Sequence, residues 1–448
     1  MALPPAGPHR YPCNEDGTTG GRGVSDIATE PSVRFHGRTG PYLGLLAVNF
    51  LINLVTLGFY RFWARTRLRR FLWSQTSVLG DALEYRGRGL ELFLGFLLAM
   101  VILGLVSGAI GIVQLTLAVY WPVGSQAAGL LNVLMLAILI PFARYRARRY
   151  RLIRTAWRGI RGGQDGSGWH YAVRSFGWGL VTIVSLGLAR PWADMALTRY
   201  RMNHTLVGRQ RFVSTARGGA LFWTWLPVPL MTIAVPASIG FVVAAAMWGD
   251  PDTGLPFEMK AEALVPTIAI ALALLGSGTV GWVLLNLRYL CRRWTHIAAT
   301  SWLADTSFAA RLSVGRIAGR WLLALFASLA VFALLLAVTL ATGGDEIAVV
   351  LEYLRFAQDG PDILLSEAFA RFAVPLALKA AGALAIAWLA GRLLIWPAVF
   401  DIWFMRHLCN GIAIADAAAL DRLVESERTD PRTGEGLADA LDLELSPF

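Results

Sequence analysis

One passage occurs twice in this chain. Thr56–Phe71 reads TLGFYRFWARTRLRRF and Ser185–Tyr200 reads SLGLARPWADMALTRY, a constant 129 residues later. The register extends past the core, with Thr76 falling on Thr205, Gly89 on Gly218 and Phe93 on Phe222. In each copy an apolar run ends at Leu-Gly, meets a Trp-Ala pair and passes into arginine-bearing sequence. Repetition of apolar, glycine-interrupted segments is the mark of membrane proteins assembled from internal repeats. The chain is therefore read first as a lipid-embedded object.

Composition agrees. Of 448 residues 56% are apolar and only 16% charged, and the mean hydropathy is +0.52, well outside the range of soluble domains. Crossing the hydrocarbon core takes about 20 apolar residues. Six runs supply them: Leu90–Val113 (extending to Tyr120), Ala127–Ala143, Gly219–Trp248, Leu264–Leu287, Trp321–Thr342 and Ala373–Phe400. A spanning segment must pair its own backbone groups, in a helix or in a closed barrel, and no run here alternates with the period of barrel strands. The sequence predicts an all-α fold, a polytopic helical membrane protein.

Two shorter apolar stretches, Pro41–Trp63 and Ala172–Trp192, precede the repeated motif. Counting both as spans gives eight, and the charges then conflict. Arginines crowd residues 61–89, 144–171, 190–218 and 288–316, and the positive-inside rule assigns all four segments to the cytoplasm. If both stretches are instead re-entrant or interfacial, entering and leaving by one face, the conflict vanishes. The external loops are then 121–126, 249–263 and 343–372, which carry Asp250, Asp252, Glu258, Asp345, Glu346 and Asp359. The second stretch also holds Arg174, Gly177, Gly179, Gly187 and Pro191, poor residues for a lipid-facing helix. Six spans plus two short elements is the preferred topology, with eight spans as the alternative.

The net charge of +11 sits in short loops beside apolar spans, where topology determinants and headgroup contacts live. It gives no reason to expect nucleic acid. Cys13, Cys291 and Cys409 are scattered, without the spacing of a disulfide framework or a zinc site. Residues 1–32, rich in Gly, Pro and charge, read as a disordered leader with no signal-peptide core. Residues 33–143, 144–287 and 288–425 form three successive membrane units, and 426–448 an acidic tail.

Particular residues carry a family resemblance. RFHG at Arg34–Gly37, TLGFYRFWA at Thr56–Ala64, RRF at Arg69–Phe71 and the LEYRG ending at Gly87 resemble the YjgN family of bacterial inner-membrane proteins. The second copy fits as well, through RTAWRGIR at Arg154–Arg161, SLGLARPWA at Ser185–Ala193, RYRMNHTLVG at Arg199–Gly208, and Phe212. A degraded third copy occupies Trp396–Asn410, where WPAVFDIWFMRHLCN matches RPWADMALTRYRMN with one insertion. Phe62 stands where the second copy has Pro191. The family is defined as one of unknown function, so the resemblance implies an inner-membrane location and supplies no reaction.

Two sets of residues are candidates for a site. Asn49 and Asn53 lie four apart on one helix face, and with Arg174, Lys379 and Arg392 they place polar or charged groups inside apolar stretches. Such groups are costly there unless paired or hydrated, and mark pathways. The second set is Trp63, Arg65, Arg69 and Arg70 with Trp192 and Arg199. Here Trp anchors at headgroup depth and Arg reaches lipid phosphate; the simpler reading is an ordinary membrane anchor. Gly104, Gly108 and Gly111, like Gly276, Gly278 and Gly281, read as close-packing faces. His170, His204, His296 and His407 make no ligand pair, and a polar contact of His204 with Asp194 is the nearest thing to a catalytic cluster. The expectation is a non-enzyme without cofactor or metal that moves or gates a small solute or lipid. The alternative is a scaffold binding anionic lipid or a protein partner. Oligomeric state is not legible.

The charge pattern makes sidedness testable. In a variant lacking the three native cysteines, single Arg86→Cys and Arg209→Cys substitutions should both resist an impermeant thiol reagent in intact cells. Labelling at position 209 alone would mean that the second short stretch spans.

Overall fold

Ten short strands correct the all-α expectation. The structure, a computed structural model, describes residues 31–247, 261–344, 348–349 and 367–424. The expected leader up to Glu30, the acidic tail and most of the loops 249–263 and 343–372 lie outside these residues. Strand β1 (Val33–Phe35) leads into helices α1 (Thr39–Val55) and α2 (Arg61–Ser74), which return to β2 (Thr76–Val78). The same plan follows four more times. Strand β3 (Asp81–Tyr85) feeds α3 (Gly89–Tyr120) and α4 (Pro122–Ile153), which end at β4 (Thr155–Trp157). Strand β5 (Ile160–Gln164) feeds α5 (Gly168–Val184) and α6 (Arg190–Asn203), which end at β6 (Thr205–Val207). Strand β7 (Gln210–Ser214) leads through α7 (Phe222–Trp225), α8 (Pro227–Met247) and α9 (Ala261–Ala299) to β8 (Ser301–Leu303). Strand β9 (Thr306–Ala310) leads through α10 (Val314–Thr342), α11 (Glu367–Ala390) and α12 (Ile402–Asn410) to β10 (Ile412–Ile414), and α13 (Ala418–Asp421) follows.

The strands pair antiparallel in chain order, β1 through β10. Odd-to-even pairs straddle each helical hairpin: Phe35 lies opposite Thr76, Leu83 opposite Trp157, Phe212 opposite Leu303 and Phe308 opposite Ile414. Even-to-odd pairs are tight turns. Leu79-Gly80 and Arg158-Gly159 both have φ > 0 at their two central residues, the twist that suits a two-residue hairpin. Every strand sends at least one apolar side chain into a single core, among them Val33, Val78, Leu83, Trp157, Ile160, Val207, Phe212, Leu303, Phe308 and Ile414. A sheet that surrounds one core in this way is a nearly closed ring. At its seam the Ile414 N–H donates to Ser32 Oγ at 3.1 Å. Leu420 and Leu423, from the segment after β10, fill the same core. That segment is held by Arg158, which pairs with Asp81 and, at 2.6 Å, with Asp421. Asp81 first, then Asp421, hold the Arg158 guanidinium still more firmly protonated.

Six helices are long and apolar enough to cross a membrane among the described residues: Gly89–Tyr120, Val123–Ile153, Gly218–Ala244, Pro266–Ala299, Val314–Thr342 and Val374–Asn410. Their outer faces are apolar and largely exposed, with Leu105, Ile112, Leu272 and Leu334 among them. The α1–α2 and α5–α6 hairpins are shorter. At 17 residues, α1 and α5 each reach only about 26 Å.

The repeated TLG/SLG motif builds the tips of these two hairpins. Leu57 and Gly58 have φ of +51° and +87°, and Leu186 and Gly187 +50° and +88°. The left-handed pair ends the first helix, with the Gly58 N–H bonding Asn53 O and the Gly187 N–H bonding Thr182 O, both at 2.7 Å. Thr56 Oγ1 then accepts from the Tyr60 N–H at 3.2 Å, and Ser185 Oγ from the Ala189 N–H at 3.0 Å. One hydroxyl thereby satisfies an open donor of the second helix. The tips themselves are apolar and bare, Leu57 being 89% and Val184 84% exposed.

The Trp-Ala part of the motif packs against the next hairpin. An added Cβ on Gly89 would stand 2.8 Å from Trp63 Cγ, and one on Gly218 would stand 2.5 Å from Trp192 Cα. Trp63 meets Phe93 at 5.7 Å between ring centroids, and Trp192 meets Phe222 at 5.3 Å. Gly218→Ala should therefore cost about 1–3 kcal/mol through overpacking. Gly219→Ala, whose Cβ would meet nothing within 4 Å, should change stability by less than about 0.5 kcal/mol. Thermal unfolding of the two variants in one detergent measures the difference.

Candidate functional site

The last span does not continue as a regular α-helix. Residues Gly391–Ile395 and Pro397–Asp401 form π-helical turns on either side of Trp396. Pro397 lacks an N–H and cannot close the usual helical bond, and widened turns of this kind gather at functional sites. Here they displace the chain between α11 and α12 and bring Arg392 and Asp401 to the wall of a cavity.

That cavity has a volume of about 500 Å³ and lies between the first hairpin and the last span. From α1 come Tyr42, Asn49 and Asn53; from α2 come Arg65 and Arg69; from the π-helical turns come Arg392 and Asp401. Leu46, Phe50, Leu68, Leu393 and Phe404 supply apolar wall. Asn49 is only 6% exposed. Its Nδ2 donates to Ala64 O at 3.4 Å, which orients the amide, and its Oδ1 is buried without a hydrogen-bond partner, as is Asn53 Oδ1. Such an acceptor costs about 1–3 kcal/mol when left bare. Arg69 is buried and donates to the Tyr85 hydroxyl at 3.3 Å. Three guanidinium groups thus face one carboxylate and two open amide carbonyls.

The two sets of residues singled out from the sequence are regrouped. Asn49, Asn53 and Arg392 meet Arg65 and Arg69 in this cavity. Arg174 does not join them; it is exposed, with its guanidinium 5.5 Å from the Tyr200 ring centroid. Lys379 is exposed on α11, off the cavity wall. Trp63 and Trp192 hold the packing contacts described above. Arg70 donates to Gly87 O at 2.8 Å, and Arg406 does the same for Gly37 O at 2.8 Å. Arg199 is exposed. His204 bonds Tyr200 O at 2.7 Å while Asp194 accepts from Tyr289 at 2.9 Å, so these two do not form a cluster. His296 and His407 accept from the backbone N–H groups of Arg217 and Ser313, at 3.2 and 3.3 Å.

Asp401 and Tyr42 escaped sequence reasoning. The last apolar run, Ala373–Phe400, stops one residue short of the carboxylate. Pro397 within that run was the available signal, since it forces the helix open at this point.

The second copy shows what the fold itself requires. At the same step of 129 residues, Asn49 becomes Trp178, Asn53 becomes Thr182, Arg65 becomes Asp194 and Arg69 becomes Thr198. Thr182 bonds its own helix, donating to Trp178 O at 2.7 Å, and Asp194 accepts from Tyr289 and Arg293. Among its described residues that hairpin leaves no buried side-chain N or O without a partner, and the bare carbonyls of the first copy are additional.

Residues 30–440 match a family described as bacterial protein of unknown function (DUF898). The chain belongs to that family. It is also 29% identical over 126 residues to the inner membrane protein YjgN of Salmonella typhimurium (strain LT2). That stretch is 28% of this chain and 29% of the relative, so the match spans under a third of the relative's length. No solved structure matches. With its six long apolar helices, this member of the YjgN family is a multi-pass protein of the bacterial inner membrane.

The bare carbonyl gives a test that needs no ligand. Asn49→Leu removes a buried, unpaired acceptor and only one long hydrogen bond. The ligand-free variant should be as stable as the parent or more so, by up to about 2 kcal/mol. A clear drop in its melting temperature would show that Asn49 serves the fold.

Proposed function

We propose that this protein moves or gates a small polar or amphipathic solute, or a lipid, through the cavity between its first hairpin and its last span. The observation carrying this reading is the pair of unsatisfied carbonyls of Asn49 and Asn53 beside a π-helical break in a spanning segment. Broken helices that present polar groups to an enclosed space line the solute sites of repeat-built transporters. The bare apolar tips of the two short hairpins favour their lying in lipid without crossing it. The arginine-rich segments and the sheet then share the cytoplasmic side, in keeping with the charge rule. In this reading the protein is not an enzyme, and its partners are the bilayer and anionic headgroups, not nucleic acid.

Movement requires that the cavity open toward each side. Asn53→Cys in a chain lacking the native cysteines, reconstituted in sealed vesicles, should react with a charged, impermeant thiol reagent added outside. In a separate preparation it should react with the same reagent trapped inside. Reaction from one side alone, or none, would point instead to a scaffold.

A further inference from the structure

The cations of the cavity wall are already engaged. Arg392 and Asp401 attract one another across it, Arg69 donates to the Tyr85 hydroxyl at 3.3 Å, and Arg65 has an interaction of its own. A further anion would have to displace those partners. A cation would meet three guanidinium groups against one carboxylate, an unfavourable field in a space of low dielectric. The groups of α1 that lack a partner are neutral acceptors, the Oδ1 atoms of Asn49 and Asn53, both buried. The Nδ2 of Asn49 is committed to Ala64 O. Turning that amide over would set two oxygens against each other, so the acceptor is fixed toward the cavity. The two asparagines stand four residues apart on one helix face, about 6 Å along its axis.

We propose that the cavity binds an uncharged amphiphile whose head carries two neighbouring hydroxyl groups, as in a monoacylglycerol or a free 1,2-diol. One hydroxyl donates to Asn49 Oδ1 and the other to Asn53 Oδ1. This rests on the functional reading only in taking the cavity as a ligand site. Hydroxyls on adjacent carbons, each reaching its acceptor over about 2.8 Å, span the step between the two asparagines. A hydroxyl also accepts, so it tolerates a guanidinium N–H nearby without competing for that group's charge. The carbon chain lies against Leu46, Phe50, Leu68, Leu393 and Phe404. The cavity, at about 500 Å³, falls within the range of small-molecule sites. The second repeat copy has Trp178 and Thr182 at the two positions, and the Thr182 hydroxyl is spent on Trp178 O at 2.7 Å. It presents no such pair of acceptors.

The same head can come from a bilayer lipid or from a free compound, and O-methylation tests both. A methyl ether keeps the oxygen and has no O–H to donate. The full-length protein is assembled into nanodiscs of phosphatidylcholine alone, whose headgroup carries no N–H or O–H. In one arm monooleoylglycerol or its di-O-methyl ether is added to the lipid, and the amount retained on the protein is read by native mass spectrometry. In the other arm 1,2-hexanediol, 1,2-dimethoxyhexane, hexylammonium and hexyl phosphate are titrated, and binding is read by saturation-transfer NMR. The diol should bind tighter than its ether by about tenfold or more in one arm or both, since two hydrogen bonds are lost. A preference in the lipid arm alone identifies a lipid ligand, and one in the soluble arm identifies a free diol. Asn49→Leu and Asn53→Leu should each weaken the preference. Equal binding of diol and ether, tighter binding of either charged compound than of the diol, no binding in either arm, or an undiminished preference in both leucine variants each overturns the proposal. One-sided labelling at position 53 would defeat transport and leave this result standing; labelling from both sides without a diol preference would do the opposite.

Discussion

Everything in this molecule hangs on strand pairing across the helical hairpins. Each hairpin, whatever its length, begins on one strand and ends on the strand hydrogen-bonded beside it. A polypeptide leaving such a sheet must return to the same edge of the membrane. Five hairpins therefore share one side for all their ends, and the arginine-rich segments collect there as a consequence.

The helices were legible in the sequence because a spanning segment must be continuously apolar, and that signal is strong in Leu90–Val113 or Trp321–Thr342. The ring was not, because its strands have only three or five residues. Strand β5, Ile-Arg-Gly-Gly-Gln, holds one apolar side chain, and β9 begins Thr-Ser. Neither shows a period, and each pair such as Leu83 with Trp157 joins residues separated by an entire helical hairpin. Their neighbours are arginines, so the segments looked like basic loops. The duplicated passage was visible for the opposite reason: the Thr/Ser hydroxyl, the Leu-Gly pair, the Trp and the distant Gly are each fixed by a separate contact.

The cavity stood half in view. Asn49 and Asn53 were conspicuous because amides are costly in apolar helices, and Arg392 because it interrupts the last run. Arg174 and Lys379 looked equally odd in sequence, yet a long cationic side chain can reach a ring face or the surface without any site. What separates the two outcomes is reach. Asn has a short side chain and cannot leave the place where its backbone puts it, so its position in the sequence is nearly its position in space. Comparison of the two copies sharpens the distinction, because Thr182, on the same scaffold, donates its hydroxyl to its own helix.

The unequal hairpins have a consequence for the surrounding bilayer. Near the sheet, helices from all five hairpins share the cross-section; beyond the tips at Leu57–Gly58 and Leu186–Gly187, among the described residues, the six long ones continue. In the proposed placement, with both short hairpins in lipid and not crossing it, the protein would displace more area from the leaflet nearest the sheet than from the opposite one. Under that placement the exposed leucines, valines and phenylalanine of its two short tips would be the surface on which lipid chains of the far leaflet come to rest. Lateral pressure in the membrane would act directly on such a shape.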